Sequence, residues 1–347
     1  MVTIKDIAAE CKVSIATVSN IINGRHKASP ETEKRVLEAI ERLGYRRNNI
    51  ASSLRSRKSH TIGIIIEDIS LFTVPPIVES IMSFLEEYKY DTVVYNLRFY
   101  SRWPDTWQDQ TAKLHPVISQ AVSDMQARMV DGIIYVAMYQ READIFADDP
   151  YIPVVMAYAE EKNPFVPSVV VDAEASAYEA TSYLIKNGHK KIGVIGSEPE
   201  KQYTSARLNG VKKALREIGE ELPERYVYCK GYEKSNGYDA AALLIKEDIT
   251  ALFCMTDRLA GGVYQYLQEQ KISVGRDISV IGYGGRELAA YLVPGLSTMA
   301  LPLAEIGRTA ASLLLQYMEA EMPRPDHPVT KLPCYLVSRG SVASLND

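Results

Sequence analysis

The side chains best suited to a chemistry by type and spacing are Ile15, Ala16, Thr17, Asn20 and Asn23, in the stretch TIKDIAAECKVSIATVSNIIN (Thr3–Asn23). On a helix beginning after Ser14 they share the outward face, while Val18, Ile21 and Ile22 point inward. The outward set is small, apolar-tipped or amide-bearing. A helix lying in a DNA major groove needs those properties: close backbone approach, methyl contacts to thymine, and hydroxyls or amides for base edges. Thr3, Ser14, Ser19 and Arg25 complete the set expected at the DNA.

Three short helices must position this face. Thr3 caps the first, with Asp6 as its third residue and Ile4, Ile7, Ala8 and Cys11 on one side. Ser14 caps the second, with Thr17 three residues on. Ser29-Pro30-Glu31 starts the third, Val36, Leu37, Ile40 and Leu43 supply its inner face, and Gly44 ends it. A unit of this size and order is typical of helix-turn-helix DNA-binding domains. An ordinary amphipathic helix pair is the alternative, and charge argues against it. Residues 1–60 hold twelve Lys and Arg against six Asp and Glu, a net of +6, which in a chain of net −5 leaves −11 for the remainder. One end is built to meet a polyanion.

The run VTIKDIAAECKVSIATVSNIINGRHKASPETEKRVLEAIERLGY resembles the N-terminal domain of the lactose-repressor (LacI/GalR) family of bacterial transcription regulators, most specifically through VS-x-x-TVS-x-x-x-N at 13–23. The resemblance continues through NGHKKIGVIG (187–196), Arg207 with Gly210, ALFCMTD (251–257), GRDISVIGYGG (275–285), PGLST (294–298) and LVSRGS (336–341). It implies that residues 47–59 are a hinge: paired helices of two subunits that fold on DNA and press a leucine, here Leu54, into the minor groove. A helix over 49–54 is too short and polar to hold itself in water, and Arg55, Arg57 and Lys58 can neutralise phosphates. A flexible basic linker is the other reading, and Arg47 stands where the family usually has proline.

At 347 residues the chain suits a head (1–46), the hinge, and a two-lobe body (60–347), and a hydrophobic content of 46% is ample for the cores. Cys11, Cys229, Cys254 and Cys334 are scattered without a C-x-x-C pair, so neither zinc nor a disulfide framework is expected. No leader precedes an apolar segment and no run approaches a membrane span, so reduced thiols in a cytoplasmic protein without a membrane partner are the expectation.

From Thr61 the chain alternates strand and helix, the pattern of doubly wound α/β lobes on parallel sheets. The first lobe is expected over about 60–160 and 288–320, taking in LSTMAL (296–301) and a helix over 304–319. The second is expected over about 161–287 and 321–342, opening with SVVVD (168–172) and closing with KLPCYLVSRG (331–340). The family shares this architecture with periplasmic sugar-binding proteins, and facing strand ends then form one ligand cleft.

Arg207 matches the family's effector-binding arginine, whose planar fork can clasp adjacent hydroxyls or a carboxylate, or instead make an interlobe salt bridge. Asp257 either accepts sugar hydroxyls or caps the helix that begins there. Phe72, Tyr158 and Tyr232 are the aromatic candidates. GYGG at 282–285 departs from the family's G-[FY]-D-D, losing two carboxylates, and Arg286 could supply a donor in their place. The polar connection Tyr100 to Pro116 carries both tryptophans and is read as either a surface flap or a reach to the cleft mouth. His189, in the NGH turn, suits a packing role.

No G-x-S-x-G, H-E-x-x-H, phosphate-cradling or dinucleotide motif is present, and Asp148-Asp149 suits a turn cap, so no enzyme, cofactor or metal is expected. The reading is a homodimeric repressor on a pseudo-palindromic operator, controlled by a small sugar. A purine-like corepressor, or a partner protein as in catabolite control, is the alternative.

Overall fold

The computed structural model describes residues 2–22, 24–25, 28–45, 58–103, 111–146, 151–198, 202–319 and 329–345. Two compact units divide the chain, residues 1–59 and 60–347. Asn23, the hinge residues Arg47, Leu54, Arg55 and Arg57, Trp107, and Asp148-Asp149 lie outside the described residues.

The head contains α1 (Ile4–Glu10), α2 (Ile15–Ile22) and α3 (Pro30–Leu43). Thr3 and Asp6 form a reciprocal cap on α1: the Thr3 N–H donates to Asp6 Oδ2 at 2.8 Å and the Asp6 N–H to Thr3 Oγ1 at 3.4 Å. Ser29 caps α3, Pro30 occupies its first turn, and Gly44 ends it in the left-handed conformation. Ile7, Ala8, Cys11, Val18, Ile21, Val36 and Ala39 form the core. Leu37 is a correction: it is 49% exposed, and Ala39 takes the inward place. Val36 and Leu37 stand about 100° apart on a helix, so only one can be central to so narrow a face.

The body runs β1 (Thr61–Ile66), α4 (Val74–Glu87), β2 (Asp91–Asn96), α5 (Phe99–Arg102), α6 (Thr111–Ala127), β3 (Gly132–Val136), β4 (Glu142–Ala143), β5 (Val154–Ala157), β6 (Glu160–Glu161) and β7 (Ser168–Val171). It continues with α7 (Ala173–Lys186), β8 (Ile192–Gly196), α8 (Gln202–Glu217), β9 (Val227–Cys229), α9 (Lys234–Leu244), β10 (Ala251–Cys254), α10 (Asp257–Glu269) and β11 (Ser279–Gly284). Last come α11 (Leu288–Tyr291), β12 (Ser297–Ala300), α12 (Leu303–Glu319), β13 (Val329–Leu332) and β14 (Tyr335–Val337).

One sheet has the order β13-β7-β5-β3-β1-β2 and the other β14-β12-β11-β10-β8-β9, parallel throughout except for β14 against β12. Central strands such as β1, β3 and β10 are buried apolar runs, as a sheet covered on both faces requires.

Three strands change lobes relative to expectation, among them VTKL at 329–332, expected in the second lobe, which pairs with β7 in the first sheet. SVVV at 168–171 pairs with β5 and β13 and so belongs to the first sheet. STMA at 297–300 pairs with β11 and belongs to the second. The crossings therefore fall at Asp172, between β12 and α12, and between Leu332 and Tyr335. A buried apolar strand reads the same in either sheet, so periodicity carried no information about membership. The helix α12 packs on α4 and the first sheet, as expected.

Candidate functional site

In the head, Ser14 Oγ accepts the Thr17 N–H at 3.0 Å and pairs with the Thr17 hydroxyl at 2.9 Å. This fixes the first turn of α2, the turn a groove-reading helix presents. Ser14, Ile15 and Ala16 are exposed, Ile15 at 47%, and Thr17, Ser19 and Asn20 are half-buried. Arg25, just past the helix, is exposed, as is Thr3. Apart from Thr3, which caps α1, the described members of the set thus lie on and beside one helix backed by Val18 and Ile21.

In the body, a cavity of about 700 Å³ is lined from both lobes. The first lobe contributes Phe72, Tyr100, Tyr139, Gln140, Arg141 and Tyr158, among others, and the second Ser197, Glu198, Tyr203, Arg207, Tyr232, Glu233, Thr256, Arg258, Tyr283, Gly284 and Arg286. Most of these side chains follow the carboxyl ends of strands, the position open parallel sheets offer a ligand. The fold sets Arg207 through a close helix pair. At Gly210, one turn on, a Cβ would stand 2.2 Å from the Glu174 carbonyl oxygen, so only glycine lets α8 approach α7.

Arg207 is 7% exposed. Its guanidinium lies over the Tyr283 ring, 4.1 Å from the centroid, and donates to the Met255 carbonyl at 3.2 Å. Its Nε has no hydrogen-bond partner, and neither has Gln140 Oε1; both are buried and both residues line the cavity. Tyr232 pairs with the Thr204 hydroxyl at 3.0 Å. Burial pushes the Tyr158 hydroxyl well up, against the pull of Arg207, so Tyr158 stands at the cavity as a neutral phenol. Tyr203 reaches across the lobes to Glu160 at 3.3 Å.

Beneath the first-lobe wall, buried Glu67 accepts from Tyr135 Oη at 3.0 Å, the Met138 N–H at 2.9 Å and Arg141. Asp68 accepts the Ser70 N–H at 3.0 Å and the Ser101 N–H at 3.1 Å, tying α5 to the end of β1. That tie carries Tyr100 to the cavity. Leu114 and His115 line it too, so the Tyr100–Pro116 segment does reach the cleft. It is also shorter than read, because α6 begins at Thr111 with Pro116 inside it. Trp103 is half-buried against Phe99, with ring centroids 5.9 Å apart.

Residues 3–48 match the bacterial regulatory proteins, lacI family, and residues 181–342 a periplasmic binding protein-like domain. Catabolite control protein A of Priestia megaterium is 34% identical over 337 residues, 96% of this chain and 96% of its own. The chain belongs to the LacI family. A second relative, the HTH-type transcriptional regulator RegA of Clostridium saccharobutylicum, is 28% identical over 330 residues, 94% of this chain and 95% of its own. The lac repressor dimer bound to operator and the anti-inducer ONPF shares the fold, with a TM-score of 0.78 at 24% identity over 99% of both chains. The CelR–cellobiose complex does so with a TM-score of 0.64 at 24% identity, over 98% of this chain and 100% of its own. This LacI-family chain is a DNA-binding transcriptional regulator, of a family of regulators rather than enzymes. Among the described residues no helix is long and apolar enough to cross a membrane.

Within this LacI-family protein, Asp257 departs from both of its sequence readings. It does not line the cavity, and Thr256 caps α10, accepting the Leu259 N–H at 3.1 Å. The Asp257 carboxylate is buried and taken on both sides, by Thr298 Oγ1 at 2.6 Å and by the Arg286 N–H at 2.7 Å. Burial raises its pKa, against the Thr298 bond and then the Arg286 N–H, which lower it. GYGG makes room for it. A Cβ on Gly282 would stand 2.4 Å from Asp257 Oδ1, and Gly284 and Gly285 take positive φ values of 135° and 69°. The turn holds Arg286 with its guanidinium over the first-lobe Phe72 ring, 3.9 Å from the centroid. The sequence did not single out Gln140; only its unpaired, buried oxygen marks it.

Proposed function

We propose that this LacI-family protein is a cytoplasmic homodimeric repressor whose operator affinity is changed by a saccharide bound between the lobes. The observation that carries the reading is the pair of buried, unpartnered polar atoms at the cavity, Arg207 Nε and Gln140 Oε1. Buried polar groups left unpaired cost stability, so a site that keeps a donor and an acceptor free suits a ligand offering both, as a hydroxylated ring does. Phe72, Tyr158 and Tyr232 supply aromatic surface of the kind that packs on sugar C–H faces. Cellobiose in the like-folded CelR complex supports the same class.

On the DNA, two heads read successive major grooves through Thr17, Asn20 and their neighbours, with Thr3, Ser14, Ile15, Ala16, Ser19, Asn23 and Arg25 at the interface. Leu54 and Arg55 act at the centre as wedge and phosphate contact. A ligand that prefers the lobe geometry of the weak-binding state is an inducer; one that prefers the tight-binding state is a corepressor. Arg207→Ala is expected to abolish the saccharide response while keeping operator affinity within about threefold. A full response in the variant would remove Arg207 from the site.

A second reading is catabolite-dependent control through a partner protein. It is favoured by the name shared by several relatives, catabolite control protein A. It predicts tighter operator binding only when that partner is added.

A further inference from the structure

The geometry points to an acidic carbohydrate as the ligand of the cavity, its carboxylate or phosphate received by Arg207 and Arg286. The inference rests on the saccharide reading and sharpens it.

Arginine and lysine line the cavity at several points, and most are already matched. Arg141 is bound to Glu67, Lys162 to Glu142 at 3.0 Å, and Arg258 to Glu233 at 2.7 Å. Arg207 and Arg286 differ. Among the described residues no carboxylate lies within ion-pair distance of either guanidinium. Arg207 is buried among Tyr158, Tyr232 and Tyr283, with one carbonyl as acceptor and its Nε idle. Its charge is met by the Tyr283 ring and one carbonyl but by no carboxylate, and a buried charge without an ion partner is costlier to hold than a paired one. Arg286 has one face on Phe72, and the carboxylate of Asp257 is spent on its backbone N–H and on Thr298. Burial, then the nearby charge of Arg258, disfavours its cation, a penalty an incoming anion would relieve.

Arg207 and Arg286 line the same cavity, as does Tyr158. Acidic groups nearby are few and engaged or outlying: Glu198 accepts the Ser197 hydroxyl, and Asp144 is exposed at the rim. Gly284 lines the wall where a carboxylate side chain would repel an anion. A guanidinium presents paired N–H donors to two coplanar oxygens, the geometry of a carboxylate or a phosphate.

The test is calorimetric titration of the full chain with glucose, galactose and mannose, each beside its uronate and its 6-phosphate. For at least one sugar an acidic form should bind tenfold or more tighter than its neutral parent, and the uronate and phosphate arms tell the two sources apart. Arg286→Gln should bring the acidic and neutral affinities to within threefold of each other, while Arg286→Lys, which keeps the charge, should retain part of the preference. Thermal melts without ligand establish that both variants fold. Neutral sugars binding as tightly as both acids would overturn the acidic ligand and leave the saccharide reading standing. So would an acid preference that survives Arg286→Gln. No heat from any sugar would overturn both.

Discussion

Asp257 offers a sharp test because it acts on the cavity without lining it. Asp257→Ala strands two buried donors, Thr298 Oγ1 at 2.6 Å and the Arg286 N–H at 2.7 Å, and opens a small void against Gly282. Hydrogen bonds to a charged group contribute about 1.5–3 kcal/mol each, and an unsatisfied buried donor costs about 1–3 kcal/mol. The carboxylate's own burial penalty is relieved by the same change, since burial holds its pKa above the ordinary carboxylate value. A raised pKa means that this group favours the fold most at low pH, and that its contribution is lost as pH rises through the folded value. The net for Asp257→Ala is a loss of about 2–4 kcal/mol, which in a unit of this size lowers Tm by roughly 5–10 °C. Asp257→Asn keeps an acceptor for the Arg286 N–H and a donor for the Thr298 oxygen, and should cost less than about 1 kcal/mol at pH 7. Calorimetric melts of the two variants decide it. Equal losses for Ala and Asn, or a loss below about 1 kcal/mol for Ala, would refute the claim that the carboxylate braces this turn.

Ile7→Ala empties a fully buried position in the small head core and should cost about 2–5 kcal/mol there, abolishing operator binding while the melting of residues 60–347 is unchanged; retained operator affinity would show that the head core is not limiting. His189 is buried, with Nδ1 against Thr250 Oγ1 at 3.0 Å and Nε2 against the Ala343 carbonyl at 3.1 Å. Burial lowers its pKa, partly offset by the Ala343 carbonyl, so the unfolded state takes up protons first. Stability should therefore fall as pH drops below about 6.5, and His189→Gln should flatten that slope in pH-dependent melts.

Local chemistry made the head legible. Caps, a proline in the first turn, a terminal glycine and a repeated apolar face all act within a few residues, and the structure places Thr3, Ser14, Ser29 and Gly44 at those ends. Leu37 was misread because a periodic pattern marks a stripe without saying which of two adjacent apolar residues is central. The alternation of strands and helices was visible in the body, but the lobe membership of 168–171, 297–300 and 329–332 is a matter of long-range pairing. The cleft followed the same rule. Arg207, Tyr158, Tyr232, Phe72 and Arg286 converge on one cavity; the family resemblance pointed to Arg207, which lies within α8, and sequence-visible strand ends pointed to Tyr158. Asp257 and Gln140 were decided by partners distant in sequence, Thr298 and Arg286 for the first and Val171 for the second.

Occupancy of the interlobe cavity is proposed to change affinity for DNA. The most direct test is fluorescence anisotropy of a labelled duplex, selected by the protein from a random pool, titrated with and without each saccharide that calorimetry shows to bind. A bound saccharide is expected to move Kd for that duplex by about tenfold, a coupling of about 1.4 kcal/mol, and Arg207→Ala to remove the shift. A saccharide that saturates the body yet leaves Kd unchanged would contradict the proposal.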